Sequence, residues 1–169
     1  MKHLLWPDGY FRTVTDITAE ELKSRGIRAV LSDIDNTLVP YEEPVPTMEI
    51  SGWIASLREA GITVGLISNN DPMRVDVFNR QMGLFARAKA GKPSARVLRE
   101  FLAETKAEKK ETILIGDQIF TDVLCARFGG VNVLLVPPIR DKKTLFFRFK
   151  RALEKPFMRA YKKKNNVDF

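Results

Sequence analysis

The sequence predicts an α/β fold in which one parallel sheet is covered by helices on both faces. Short apolar runs without an alternating polar face recur along the chain, as expected for strands that are buried on both sides. These runs alternate with segments that carry helix caps, and such alternation is typical of a parallel sheet. The length of 169 residues is that of a single domain with a substantial core.

The first half of the chain contains two predicted strands and three predicted helices. The strands are apolar runs at 29–33 and 63–68. The helices are predicted from their caps, at 18–26, 47–60 and 71–83. The cap signals are a capping box at Thr18–Glu21, glycines at the C-terminal ends, and Asp71 followed by a proline at the first helical position.

The second half contains three further strands and two helices. The strands are predicted at 84–88, 112–116 and 131–136. One helix is predicted at 94–106 with Ser94 as its cap, and the other at 120–128, where two glycines end it.

Polar side chains follow these strands, at the edge of the sheet where ligands bind in parallel α/β folds. They are Asp33 and Asp35 after the first strand, Ser68 and Asn69 after the second, Lys92 after the third, and Asp117 after the fourth. Some have ordinary alternatives, since Asp35 could belong to a turn and Lys92 could be exposed. The recurrence at each strand end favours a functional site.

Two carboxylates on one edge can divide the work of phosphoryl transfer, one as nucleophile and the other as acid and then base. Asp33 and Asp35 cannot do so alone at neutral pH, because they and a phosphate are all anionic. A hard cation must lie between them, and Mg²⁺ is the usual choice. Lys92 offers a fixed positive charge for the phosphoryl oxygens, and Ser68 offers a hydroxyl donor.

Four motifs in order resemble those of the haloacid-dehalogenase-type (HAD) phosphohydrolases. They are D-I-D-N-T at 33–37, L-I-S-N at 66–69, G-K-P at 91–93 and G-D-Q-I-F-T-D at 116–122. The residues that fill these motifs are most similar to those of the YqeG-type subfamily (type IIIA), which is itself similar to phosphatidylglycerophosphate phosphatases. The resemblance implies a three-layer, Rossmann-like HAD fold without a cap domain, whose sheet of about five strands has the order 5-4-1-2-3.

The resemblance also implies a role for each matching residue. Asp33 would attack phosphorus to form an aspartyl-phosphate, and Asp35 would protonate the leaving oxygen and then activate water. The metal set would comprise Asp33, Asp35 through its carbonyl oxygen, Asp117 and, in or near the second shell, Asp122. The phosphate would be bound by Ser68, Asn69 and Lys92. Asn36 replaces the glycine of many relatives, and asparagine tolerates the unusual backbone angles involved.

Composition excludes several other chemistries. One histidine and one cysteine cannot form a structural zinc site or a disulfide framework. We expect a cytoplasmic protein, because the first 30 residues lack a signal-peptide pattern and no apolar run is long enough to span a membrane.

The spacing of the motifs bears on the substrate. The 30 residues between Thr37 and Ser68, and the 23 between Ser68 and Lys92, are already used by predicted elements. No cap domain fits there, so we expect an open site for a large phosphorylated substrate such as phosphatidylglycerophosphate, a phosphoprotein or a nucleic-acid end. A neighbouring subunit could also cover the site.

The net charge of +7 comes from the C-terminal segment. Residues 139–169 carry a net charge of +8, whereas the predicted phosphatase domain, 1–138, carries −1. This basic, aromatic-rich tail is predicted to be helical up to an interruption at Pro156. It could dock on the domain, contact anionic lipid at the inner face of the membrane, or bind RNA. The alternative functions are a non-enzymatic RNA- or protein-binding assembly factor on the same scaffold, and a phosphotransferase.

Overall fold

A six-stranded parallel sheet forms the centre of the protein. The computed structural model describes residues 3–140 and 145–169, and within them the strands are β1 (Gly9–Tyr10), β2 (Ala29–Asp33), β3 (Thr63–Ile67), β4 (Phe85–Arg87), β5 (Thr112–Gly116) and β6 (Asn132–Leu135). Their order is β1-β6-β5-β2-β3-β4. The five predicted strands and their order are confirmed. The additional edge strand β1 has only two residues, which is too short to show a periodic pattern.

The helices are α1 (Ala19–Ser24), α2 (Met48–Glu59), α3 (Pro72–Asn79), α4 (Arg96–Thr105), α5 (Leu124–Gly129) and α6 (Leu145–Asn165). They agree with the caps read from the sequence except at α4, whose N-cap is Ala95 and not the predicted Ser94, and which has no side-chain cap hydrogen bond. The side chains of Thr18, Thr47 and Asp71 each accept a hydrogen bond from a first-turn amide. The capping box is only half formed, because the Glu21 carboxylate pairs with Arg25 instead.

Two apolar clusters cover the two faces of the sheet and confirm the three layers. One joins β2 to α2 and α3 and includes Trp53 and Phe78. The other joins the opposite face to α4 and α5 and includes Phe101. Residues 38–67 and 69–91 hold one helix and one strand each, with no cap domain between the motifs.

The predicted helix 120–128 is divided in the structure. A wider π-helical turn at Ile119–Val123 precedes α5, and it starts directly after the strand-end residues Asp117 and Gln118. π-Turns of this kind occur frequently at functional sites.

Helix α6 lies outside the sheet and packs against the domain through one side. Tyr161 is buried against Trp6, and Phe157 contacts Phe120 edge to face. The predicted interruption at Pro156 is wrong, since the helix continues through it. Pro156 and the residue four positions earlier are both exposed, so water can solvate the carbonyl that the missing N–H leaves free. Residues 142–144 of the predicted tail helix lie outside the described residues.

The outer side of α6 is partly apolar. Phe149 and Leu153 are 64% and 46% exposed, and basic residues flank them. Among the described helices, none has both the length and the apolar character that crossing a membrane would require.

Candidate active site

The polar residues predicted at the strand ends meet at the carboxyl edge of the sheet. Asp33 ends the central strand β2, where its register neighbour on β3 is the residue before Ser68. A cavity of about 330 Å³ at this edge is lined by Asp33, Asp35, Ser68, Asn69 and Lys92, among other residues. The structure therefore brings together the five side chains for which the sequence predicted catalysis or phosphate binding.

The loop after β2 turns sharply at Asn36. This residue has a φ of 65°, in the left-handed region that asparagine tolerates better than most side chains. Its carbonyl oxygen accepts a hydrogen bond from the Ile139 amide, and its side-chain oxygen accepts one from the Arg140 amide. The turn thus fixes the loop that carries Asp35 to the segment after β6.

Lys92 lies between two carboxylates. Its Nζ is 2.6 Å from Asp33 Oδ1 and 2.6 Å from Asp122 Oδ1, and all three side chains are almost fully buried. The Asn69 side chain holds the Lys92 main chain, donating to its carbonyl oxygen at 3.1 Å and accepting from its amide at 2.8 Å. The side chain of Asn69 is thereby used to position Lys92.

Asp35 is turned toward the other side of the cavity. Its carboxylate accepts hydrogen bonds from Ser68 Oγ at 3.0 Å, Asn70 Nδ2 at 3.3 Å and Arg74 Nε at 3.1 Å. Sequence reasoning missed Arg74. A signal was present, because Arg74 stands in the first turn of a helix whose predicted cap, Asp71, comes four residues after the last residue of β3.

Asp122 uses both of its carboxylate oxygens within the protein. Oδ1 pairs with Lys92, while Oδ2 accepts from the amides of Asp117 and Gln118 at 3.2 and 3.0 Å. It therefore holds both the lysine and the loop that carries Asp117. The two remaining acids face each other across Thr37, whose hydroxyl lies 3.4 Å from Asp33 Oδ2 and 3.3 Å from Asp117 Oδ1.

Gly116 makes this arrangement possible, and Gly116→Ala tests it. A Cβ at this position would overlap the carboxyl group of Asp122. We expect the substitution to lower the free energy of unfolding by about 3 kcal/mol, since a buried carboxylate must move away from its partners. Chemical denaturation measures the change. Gly52→Ala is the control, because its Cβ would meet no atom and alanine favours the helix; equal effects of both variants would contradict the expectation.

Helix α6 also reaches the site, which the sequence did not predict. Arg151 forms an ion pair with Asp117 through Nη2, and its Nη1 donates to the Asp117 carbonyl oxygen at 2.7 Å and to Glu154 at 3.0 Å. Glu154 in turn accepts from the Ile119 amide at 2.9 Å and the Phe120 amide at 3.3 Å, at the start of the π-turn. The spacing of Arg151 and Glu154 indicates that they share one face of a helix, but the spacing does not indicate which residues that face contacts.

The buried charges shift one another's protonation. Burial, together with the charges of Asp122 and Asp117, raises the pKa of Asp33 well above its ordinary value despite Lys92 nearby. Burial raises the pKa of Asp117 to about 6, although Arg151 acts in the opposite direction. Burial would lower the pKa of Lys92, but the charges of Asp122 and Asp33 raise it above its ordinary value. The lysine is therefore a permanent cation.

Three of these carboxylates form a donor set that fits a hard divalent cation. Oxygens of Asp33, Asp117 and Asp122 lie within 4.8 Å of one another. Carboxylate oxygens are the ligands that Mg²⁺ prefers. Because both oxygens of Asp122 already have protein partners, Asp33 Oδ2 and Asp117 Oδ1 are the oxygens better placed for direct contact.

Stabilisation by Mg²⁺ should increase with pH. Native Asp117 keeps its proton up to a pKa of about 6, compared with an ordinary value of 3.8, so the stability of the metal-free protein falls between these values as the pH rises. A carboxylate must lose its proton to bind a metal ion. Below that pKa, each unit by which the pH falls should therefore weaken Mg²⁺ binding about tenfold. Thermal melting with and without Mg²⁺ at about pH 5 and about pH 7.5 measures this. Asp117→Asn should weaken the Mg²⁺ effect and reduce its pH dependence to the part contributed by Asp33, whose pKa is also raised. An equal Mg²⁺ effect at both pH values in the unmodified protein would contradict the expectation.

Comparisons with known proteins agree with this geometry. A family model described as HAD-hydrolase-like matches residues 89–138. The protein named "Probable phosphatase YqeG" from Bacillus subtilis (strain 168) is 31% identical over 169 residues, which is 100% of this chain and 98% of that protein.

Solved structures share the fold at low sequence identity. CbbY from Rhodobacter sphaeroides, in complex with phosphate, has a TM-score of 0.54 at 14% identity and covers 71% of this chain and 90% of its own. The 3-deoxy-D-manno-octulosonate 8-phosphate phosphatase from Moraxella catarrhalis, in complex with magnesium, phosphate and KDO, has a TM-score of 0.54 at 16% identity, with 72% and 75% covered. With the full-length similarity to YqeG, the four ordered motifs and the matching sheet, the chain belongs to the HAD phosphatase family.

Proposed function

We propose that the protein is a Mg²⁺-dependent phosphomonoesterase that works through an aspartyl-phosphate on Asp33. The observation that carries this proposal is the position of Asp33 at the end of the central strand, beside Lys92 and within one cavity with Asp35 and Ser68. A buried carboxylate next to a permanent cation is suited to meeting a phosphate dianion, because the cation offsets the repulsion between two anions.

The residues divide the reaction as follows. A carboxylate oxygen of Asp33 attacks phosphorus, and the bond from phosphorus to the leaving oxygen breaks as Asp35 donates a proton to that oxygen. Asp35 then takes a proton from water, which attacks the phosphorus of the acyl phosphate and frees Asp33. Lys92, Ser68 and the main chain at Asn69 would bind the phosphoryl oxygens.

Mg²⁺ fits the acidic set, with Asp33, Asp117 and the carbonyl oxygen of Asp35 as its proposed ligands. It would supply charge neutralisation between the nucleophile and the phosphate. Asp122 would act beside this set by holding Lys92 and the 117–118 main chain, and Arg151 would hold Asp117 from behind. Hydrogen-bonded ligands of this kind are usual in metal sites.

The substrate proposed for this site is large and lipid-borne, such as phosphatidylglycerophosphate. Two observations support it: no cap domain lies between the motifs of the described chain, and α6 presents the exposed pair Phe149 and Leu153 beside the cavity residue Lys150. Apolar side chains flanked by basic ones, as in the segment 139–169, fit the surface of an anionic bilayer.

A phosphatase screen with Mg²⁺ tests the proposal, comparing soluble monoesters with phosphatidylglycerophosphate in mixed micelles. Phosphate release from any monoester supports the enzymatic part, and its absence from all of them overturns it. The lipid part predicts binding to anionic vesicles that is lost in Phe149→Ser/Leu153→Ser while the activity on soluble monoesters is kept. Absence of vesicle binding by the unmodified protein would overturn the lipid part alone.

A further inference from the structure

The cavity contains one lysine that has no ion-pair partner among the described residues. Lys150 of α6 lines the cavity, and its Nζ donates a hydrogen bond to the neutral side-chain oxygen of Gln118. The other basic side chains at the site, Lys92, Arg74 and Arg151, are each in an ion pair with an aspartate. Lys150 forms no such pair within the described part of the chain, and two of its three protons are therefore available.

Holding this ammonium group at the cavity is unfavourable as it stands. Lys150 is half-buried, and burial lowers its pKa from the ordinary value. The charges of Glu154, Asp122 and Asp117 oppose this shift without forming an ion pair with the lysine. A partly desolvated charge is costly unless an opposite charge accompanies it. An anion arriving from solution would remove that cost.

Thr121 provides a second, independent observation at the same place. Its Oγ1 is buried and has no hydrogen-bond partner among the residues that the structure describes, and the residue lines the same cavity. Buried hydroxyls without partners are uncommon in folded proteins. Thr121 of the π-turn at Ile119–Val123 follows Gln118 by three residues, and both line the cavity with Lys150. A rotation about χ1 of Thr121 would therefore turn its unused hydroxyl toward the region that holds the unpaired ammonium group.

The cavity has room for more than a phosphate. Its volume of about 330 Å³ is in the range of pockets that hold whole small ligands, about 300–1,000 Å³. The proposed phosphate position lies beside Asp33 and Lys92, whereas Gln118, Thr121 and Lys150 line the same cavity without belonging to that group. The part of a substrate that meets them would be its leaving group.

We propose that Gln118, Thr121 and Lys150 form a subsite for an anionic oxygen on the leaving group of the substrate. The preferred substrates are then phosphate monoesters that carry a second negative charge, such as a carboxylate or a phosphodiester. Lys150 supplies the charge, Thr121 supplies a hydroxyl donor, and Gln118 orients the ammonium group. The inference rests on the proposed function for the position of the phosphate.

Matched substrates test the subsite. Alkyl phosphates are compared with ω-carboxyalkyl phosphates of equal length, for several lengths, because the chain must span the distance to Lys150. At one length or more, the unmodified protein should have a kcat/KM at least about tenfold higher for the carboxylated substrate, as expected for a charge-assisted hydrogen bond. Lys150→Met should lower kcat/KM for the carboxylated substrates about tenfold more than for the alkyl phosphates and so remove the preference, and Lys150→Arg should keep most of it.

The control variant is Lys163→Met, which removes an exposed lysine from the same helix. It should leave the preference unchanged, whereas Thr121→Val should reduce it. The proposal is overturned if carboxylated substrates are favoured at no length, or if Lys150→Met lowers activity equally on both series. Retained hydrolysis of alkyl phosphates in either case would leave the proposed function standing.

Binding separates the subsite from the proposed function. Calorimetry with Asp33→Asn, which has no nucleophile, compares the affinity of the same carboxylated and plain phosphates with and without Lys150→Met. Tighter binding of the carboxylated ligand that depends on Lys150 would support the subsite even if no monoester were hydrolysed. Equal affinities at every length would overturn it.

Discussion

Asp33→Asn abolishes phosphatase activity, with an expected loss in kcat of about a thousandfold or more. The substitution keeps the shape of the side chain but removes the nucleophilic carboxylate at the end of β2. The fold should be retained, because Asp122 still pairs with Lys92. The free energy of unfolding should even rise at neutral pH, since burial and the neighbouring aspartates raise the pKa of Asp33 and make its charged form unfavourable.

Steady-state phosphate release and chemical denaturation, measured on the same preparations, check both parts. Asp76→Asn is the matched control, because Asp76 is an exposed acid on α3 away from the cavity. Its kcat should be unchanged. Activity of Asp33→Asn equal to that of the control would remove Asp33 as nucleophile and with it the proposed mechanism.

Lys92→Met has the second large effect, on stability as well as on activity. The lysine neutralises a buried cluster in which Asp33 and Asp122 are each 2.6 Å from its Nζ. Removing one partner of a buried ionic cluster leaves uncompensated charge, and we expect a loss of about 3–5 kcal/mol in the free energy of unfolding at neutral pH. The loss should be smaller at acidic pH, because protonation of Asp33, whose pKa burial raises, removes part of the repulsion.

Denaturant unfolding of Lys92→Met at several pH values measures this effect in the metal-free protein. Lys110→Met serves for comparison, since the Lys110 side chain is 75% exposed and its pair with Glu108 contributes little. Mg²⁺ should restore part of the stability of Lys92→Met by adding positive charge to the cluster. A loss that is equal at all pH values would show that packing, not charge, is what Lys92 contributes.

The sequence was sufficient for the elements that depend on local signals. Buried strands such as β2 and β5 appear as short, mostly apolar runs, and the caps at Thr47 and Asp71 are set by side chains within one turn. The strand-end side chains followed from topology, because parallel strands bring their carboxyl ends to one edge.

Features that depend on distant partners could not be predicted. Arg151 is 34 residues from Asp117, and no local pattern states that α6 would return to the site. The two-residue strand β1 forms only because β6 offers it an edge. The π-turn likewise depends on Glu154, which accepts from the first amides of the turn.

The docking of α6 also bears on how the protein opens. The sheet is held by ladders between every neighbouring pair of strands, whereas the described contacts of α6 with the domain are made by side chains such as Arg151, Glu154 and Tyr161. Sub-global unfolding tends to follow such boundaries. Detachment of this one helix would remove Lys150 and Arg151 and leave the strand-end residues in place, so native-state hydrogen exchange should distinguish two cooperative units. Heating should then first give a state that lacks the Lys150 side chain at the cavity and the Arg151 support of Asp117, at a temperature below that at which the sheet melts.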